Sequence, residues 1–400
     1  MLLSIVAISI VLAAWALTAR RLEALRVSTP LLLVVAGAVV EYTTHGTLAD
    51  TLNSETAEHA AQIILAVLLF VDANAIRSGL LGAYPRSATR LLFLALPLSL
   101  GVAVALGLWL LPGLSWPIVL VIACIVVPID FAPAPSAIRD GQIPGRVRKL
   151  LNVEAGYNDG IVSPIFVFAL AMADHQDGAD TFAEQLRAAV PEAVLAIVVG
   201  LCVGGGLAVA ANAADRAGLT TRQSGRVLVV AAPALAYTLS LVVDANGFVA
   251  AFLCGIGYHV FRHAADPEEQ LELLDDIGFL LTSAMWFVLG GVALIAYWRA
   301  DLTVGIVVFC LLALTVVRML PVEIAMLRSG FPWSERLLLG WLGPRGASSI
   351  VFGLLAFNVI DGSDENTILL ILVVVVLGSV VVHGIGAPAA ARAFARARSE

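Results

Sequence analysis

Apolar runs recur along this 400-residue chain with only short polar stretches between them. A helix crossing a bilayer needs about 20 mostly apolar residues, and in lipid every backbone polar group must be satisfied within the protein. By that measure the chain offers about thirteen spans: 2–19, 28–44, 60–82, 88–111, 117–137, 147–173, 190–213, 224–243, 247–262, 276–298, 302–327, 335–359 and 366–390. Only "DANG" (Asp244 to Gly247) separates the eighth from the ninth. The charged fraction is 13%, against roughly 25% in a soluble domain. The expectation is an all-α, multi-pass protein of an inner or plasma membrane. Cys124, Cys202, Cys254 and Cys310 fall inside apolar runs without metal-ligand spacing, so they read as packing residues.

The net charge of −7 matters less than where the charges lie. Arg20, Arg21 and Arg26 follow the first span; Arg77, Arg86 and Arg90 the third; Arg139, Arg146, Arg148 and Lys149 the fifth. The alternation continues through Arg216, Arg222, Arg226, Arg262, Arg328, Arg336, Arg392, Arg396 and Arg398. The intervening loops hold only Arg187 and Arg299 and include acidic stretches such as "DGSDEN". Since Lys and Arg are retained on the cytoplasmic side, the N-terminus is expected outside and the C-terminus inside. An odd number of spans satisfies both.

Charged residues inside the runs are costly and mark ion pathways or pairs. Asp72, Asp130, Glu154, Asp159, Arg318 and Arg345 are of this kind; Glu323, near a span end, reads as a snorkelling side chain. At about 100° per residue, Glu154 and Asn158 share one stripe of span six, whereas Asp159 shares the next with Ala155. The two acids therefore face different surroundings. One suits permanent pairing with an arginine, the other a site that gains and loses charge.

Two spans carry helix breakers at membrane depth. Span five places Pro128, Pro133 and Pro135 around Asp130; span twelve places Gly343, Pro344 and Gly346 around Arg345. Proline removes a backbone donor and clashes with the preceding turn, and unwound backbone is tolerated there only inside protein or beside a water-filled cavity. The two spans are seven apart and run in opposite directions, as an inverted repeat requires. Paired breaks of this kind point to a transporter site.

The stretch "VVPIDFAPAPSAIRDGQIPGRVRKLLNVEAGYNDGIVSP", together with "RMLPVE" and "GPRGASSI", resembles the monovalent cation/proton antiporters, in the branch of NhaP-like and eukaryotic sodium/proton exchangers. The resemblance runs along most of the chain. It implies a homodimer in which ion-translocating core helices, 88–173 and 302–390, move in elevator fashion against dimerisation helices, 1–82 and 224–298, with 190–213 linking them. It implies Asp159 and Asp130 as the acids that bind the monovalent cation and carry the proton, with Asn158 beside them and Asp72 as a further contributor. Glu154 would pair with an arginine, Arg318 first and Arg345 second. Relatives with aspartate at the asparagine position move net charge, so Asn158 implies electroneutral exchange. Two positions depart from the family pattern: Ile129 and Ala155 stand where it usually has hydroxyl residues.

The reading that follows is exchange of sodium, or lithium, for protons. An ionised carboxylate withdrawn from water is costly, and either a proton or a cation relieves that cost, so the two can compete for one site. A potassium/proton antiporter or a sodium-coupled organic-anion symporter are the alternatives, although a symporter should show more polar groups for its substrate. A remote alternative is an intramembrane aspartyl protease using Asp130 and Asp159. A serine hydrolase is disfavoured, since Ser348 and Ser349 have no evident histidine nearby and His383 lies far along the chain. No resident cofactor and no nucleic-acid partner are expected; the partners are the cation, the proton, the bilayer and a second copy.

Overall fold

The computed structural model describes residues 2–24, 28–44, 54–74, 79–131, 143–174, 182–264, 266–360 and 362–399. All regular structure among them is helical. In chain order the helices are α1 (Leu2–Ala24), α2 (Thr29–Thr44), α3 (Glu55–Asn74), α4 (Pro85–Leu110), α5 (Trp116–Val126), α6 (Gly145–Asp174) and α7 (Phe182–Arg216). There follow α8 (Arg222–Val242), α9 (Gly247–Phe261), α10 (Pro267–Arg299), α11 (Val304–Ala325), α12 (Trp333–Trp341), α13 (Ala347–Val359) and α14 (Ser363–Ser399). Among the described residues nine helices are long and apolar enough to cross a membrane, and α2, α5, α9 and α13 are shorter apolar helices.

Several helices begin ahead of the apolar run that announced them, because side-chain oxygens satisfy the free N–H groups of the first turn. Ser54 Oγ accepts from Ala57 N at 3.3 Å at the start of α3. Asp266 accepts from Glu269 N at 3.1 Å at the start of α10. Hydropathy registers only the apolar part of such a helix. The short "DANG" link is sufficient for a turn: Asp244 takes a left-handed φ of 52°, and Asn246 Oδ1 caps α9 by accepting from Phe248 N and Val249 N, both at 3.1 Å.

The eleventh span is not one continuous helix, as its apolar run suggested. It is interrupted at Thr315, with φ −125° and ψ −83°. The Ala313 carbonyl, which a continuous helix would offer to residue 317, instead accepts from Arg345 Nη2 at 3.2 Å. The two expected breaks are present as well. Backbone leaves α5 at Val127–Phe131, and Leu342–Gly346 separates α12 from α13. Pro133, Pro135 and Arg139 lie outside the described residues.

Helix α9 packs against α3, α7 and α8, and α2 packs along α10. Small residues permit the closest approaches, as is usual where helices meet in lipid. A methyl group on Gly37 would collide with the Phe287 carbonyl, and one on Gly204 with the Cys254 carbonyl. Helix α5 packs against α4, α6 and α13, and α14 packs against α11 and α13. Helix α3 stands between, touching α9 on one side and α6 and α13 on the other. That arrangement brings Asp72 to the two breaks.

Candidate functional site

Helix α6 carries Glu154, Asn158 and Asp159, all buried. Their different directions, expected from helical geometry, lead to different partners. Glu154 meets Arg318 of α11 in a fork: Nη1 donates to Oε1 at 2.7 Å and Nη2 to Oε2 at 3.0 Å. Arg318 Nη2 also donates to the Leu339 and Leu342 carbonyls, both at 3.1 Å, at the end of α12. The guanidinium thus neutralises a buried acid and ties down carbonyls freed by the second break. A side chain at Gly343 would occupy the space of Arg318 Nε and Cδ.

Arg345 has a different task from the pairing with Glu154 that was its second assignment. Its Nη1 donates to the Val127 carbonyl and, at 2.9 Å, to that of Pro128, while Nη2 reaches Ala313. These are the loose carbonyls at the end of α5 and at the interruption of α11. A positive charge beside a helix C-terminus is favourable, because the free carbonyls there carry partial negative charge.

Asp130 provides the counterpart. Its Oδ2 accepts from Ala347 N at 2.9 Å at the N-terminus of α13, where a helix favours negative charge. Its own backbone N donates to the Pro344 carbonyl at 2.8 Å. The approach is possible because residue 346 is glycine: a Cβ there would overlap the Asp130 carboxylate. Gly346→Ala should therefore displace Asp130, at an overpacking cost of about 1–3 kcal/mol, and weaken cation binding. An unchanged cation affinity in purified Gly346→Ala would show that the carboxylate position is not critical.

Asn158 fastens α6 to the first break. Its Nδ2 donates to the Ile129 carbonyl at 2.8 Å and its Oδ1 accepts from Asp159 N at 2.6 Å, so both ends of the amide are engaged. Asp159 extends beyond it, with Oδ1 buried and without a hydrogen-bond partner. Asp72 of α3 is partly buried and shares the electrostatic field of Asp159 and Asp130. Asp130 thus sits at the N-terminus of α13, with Asp159 of α6 and Asp72 of α3 near enough to feel its charge. A group of acids and helix ends at membrane depth is suited to holding a small hard cation or a proton.

A model of the family described as "Sodium/hydrogen exchanger, transmembrane" matches residues 7–393. The chain belongs to this family. A probable Na(+)/H(+) antiporter of Schizosaccharomyces pombe is 23% identical over 318 residues, covering 75% of this chain. The chain spans 41% of that relative's length. The fold is similar to that of the sodium proton antiporter MjNhaP1 from Methanocaldococcus jannaschii at pH 8, with a TM-score of 0.79 and 19% identity over 98% of this chain and 99% of the other. An electron-microscopy structure of MjNhaP1 gives a TM-score of 0.76 at 19% identity, covering 98% of each chain. The protein is a multi-pass membrane protein.

Some contributors to the candidate site were not found from the sequence. His383 lies far along the chain but adjoins the second break in space. Arg345 N donates to Ser379 Oγ at 2.8 Å, Ser379 Oγ contacts His383 Nδ1 at 3.1 Å, and His383 Nε2 contacts the Trp341 carbonyl at 3.0 Å. A lone histidine in an apolar span was the available signal. The hydroxyls of Ser348 and Ser349 are not bonded to it; the serine that touches His383 is Ser379. Glu323, read as snorkelling, forms an ion pair with Arg336 at 3.2 Å.

Proposed function

We propose that this protein exchanges sodium, or lithium, for protons across the membrane, one for one, through a site formed by Asp159 and Asp130 with Asp72 nearby. The observation that carries the reading is the convergence of these carboxylates where two interrupted helices cross, with a buried Asp159 oxygen left unpartnered. An ionised acid in that position is costly, and a proton or a cation relieves the cost equally well. Exclusive occupation by one or the other couples the two fluxes. Glu154 and Arg318 neutralise each other and take no part in the exchange. Asn158 holds α6 against the first break.

The same reading places thirteen helical crossings in the membrane, related by an inverted repeat, with the N-terminus outside and the C-terminus inside. The alternation of basic loops supports this. The helices within 88–173 and 302–390 form the moving core, those within 1–82 and 224–298 the dimerisation part, and 190–213 the link, in a homodimer working by elevator-like alternating access.

One-for-one exchange carries equal charge in both directions, so its rate should not respond to voltage. Moving one net charge through 100 mV is worth about 2.3 kcal/mol, which a current or rate measurement would readily register. In vesicles clamped with valinomycin at zero and at a large potassium diffusion potential, sodium-driven proton movement should be equal. A steady current whose reversal potential requires more than one proton per sodium would refute electroneutrality. Proton movement driven by potassium but not by sodium would replace the substrate.

A further inference from the structure

Among the buried polar atoms of the site that lack partners, two oxygens are neighbours. One is Asp159 Oδ1; the other is Ser348 Oγ, in the first turn of α13. Each residue is only 4% exposed. The Ser348 side chain stands beside the Asp159 carboxyl but closes no hydrogen bond with it. Helices α6 and α13 run against each other here and meet again at the stacked rings of Phe166 and Phe352, 4.5 Å apart. Two adjacent unsatisfied oxygens at membrane depth are unfavourable, each by about 1–3 kcal/mol.

A serine or threonine in a helix commonly turns its hydroxyl back to the carbonyl of the preceding turn. Thr238, for example, does so to Ala234 at 2.7 Å, and Thr315 to Leu311 at 2.7 Å. Ser348 is the second residue of α13, so no preceding helical turn offers its hydroxyl a carbonyl; Pro344, four residues back, lies in the break and accepts from Asp130 N. The hydroxyl is left without a partner beside Asp159. Other neutral oxygens nearby are engaged: the Ile129 carbonyl and Asn158 Oδ1 both accept hydrogen bonds within the scaffold. Ile129 and Ala155 offer no side-chain oxygen of their own.

We propose that Ser348 is a direct ligand of the transported cation, completing with Asp159 and Asp130 an oxygen set suited to a hard ion. The inference rests on the sodium/proton reading and names the neutral ligand of that same site. Because Ser348 sits one residue beyond the amide that Asp130 caps, it joins both acids to the second break. Residue 348 then sets affinity and the choice among monovalent cations, whereas the acids set the coupling to protons.

The test is binding of radioactive sodium to the purified protein at alkaline pH, with lithium as competitor, alongside exchange in vesicles. Ser348→Ala should weaken sodium binding about tenfold and raise the apparent KM to match, while the maximal rate stays within about twofold. Ser348→Thr, which keeps the hydroxyl, should remain close to the parent protein. Ser349→Ala, an equally buried serine turned about 100° away, should leave sodium binding unchanged. If Ser348→Ala is not recovered folded, Ser348→Cys decides the matter, since soft sulfur in nearly the same volume should lose sodium affinity similarly. Unchanged sodium binding in either variant overturns the proposal, and so does a parent protein that binds no sodium. Binding without exchange in the parent protein would instead refute antiport and leave the ligand assignment standing.

Discussion

Vesicles containing Asp159→Asn should show no cation-dependent proton movement, a loss of at least about 100-fold. The substitution keeps the side chain's size but removes the group that can be neutralised by either of two ions. An amide cannot release a proton in this pH range, nor can it balance the charge of a sodium ion at membrane depth. The energy at stake is that of a charge at the bilayer centre, about 2.5–3.5 kcal/mol on insertion scales, or roughly 100-fold in an equilibrium. Folding should survive, because Asp159 Oδ1 makes no hydrogen bond that the variant would lose. The measurement is sodium-induced collapse of an imposed pH gradient, with the variant checked for a monodisperse profile in detergent. Exchange persisting at even a tenth of the parent rate would remove Asp159 from the centre of the mechanism.

Glu154→Gln and Arg318→Gln should each lower stability by about 3–5 kcal/mol, because each strands the partner's charge in a buried position. The double variant should be less impaired than the sum of the two, since neither charge then remains. The singles should not be equal. Arg318 also holds the Leu339 and Leu342 carbonyls, so its loss should be the more damaging and should not be fully recovered in the double variant. Thermal melts of the three variants and the parent form the cycle. Strictly additive losses would show that the fork between these side chains contributes nothing to stability.

Charges at odds with their surroundings were legible in the sequence. Asp159, Asp130 and Glu154 stand out in apolar runs, and Pro128 and Pro344 announce interrupted backbone. What escaped was whatever depends on the carbonyls and amides that an interruption sets free, for these carry no signature in residue type. Arg345 was expected to seek a carboxylate and instead holds Val127, Pro128 and Ala313. The break at Thr315 follows from the same diversion and could not be read from an unbroken apolar run. Serine is common in membrane helices, so Ser348 acquires interest only when it is seen to lie in the first turn after a break, with no preceding turn to bond. His383 was visible as a residue, but its neighbours depend on the path of the chain through the second break.

The two interruptions mend each other. Asp130, from the first, supplies the negative group at the start of α13; Arg345, from the second, supplies the positive group at the end of α5. Neither half-helix is self-sufficient, and each depends on a residue borrowed across the crossing. Sliding one strand past the other would expose several main-chain groups at once, with no water at hand to receive them. A displacement that carries Asp130 must therefore carry Arg345 as well. The crossing behaves like a riveted joint, in which neither half can shift without the other.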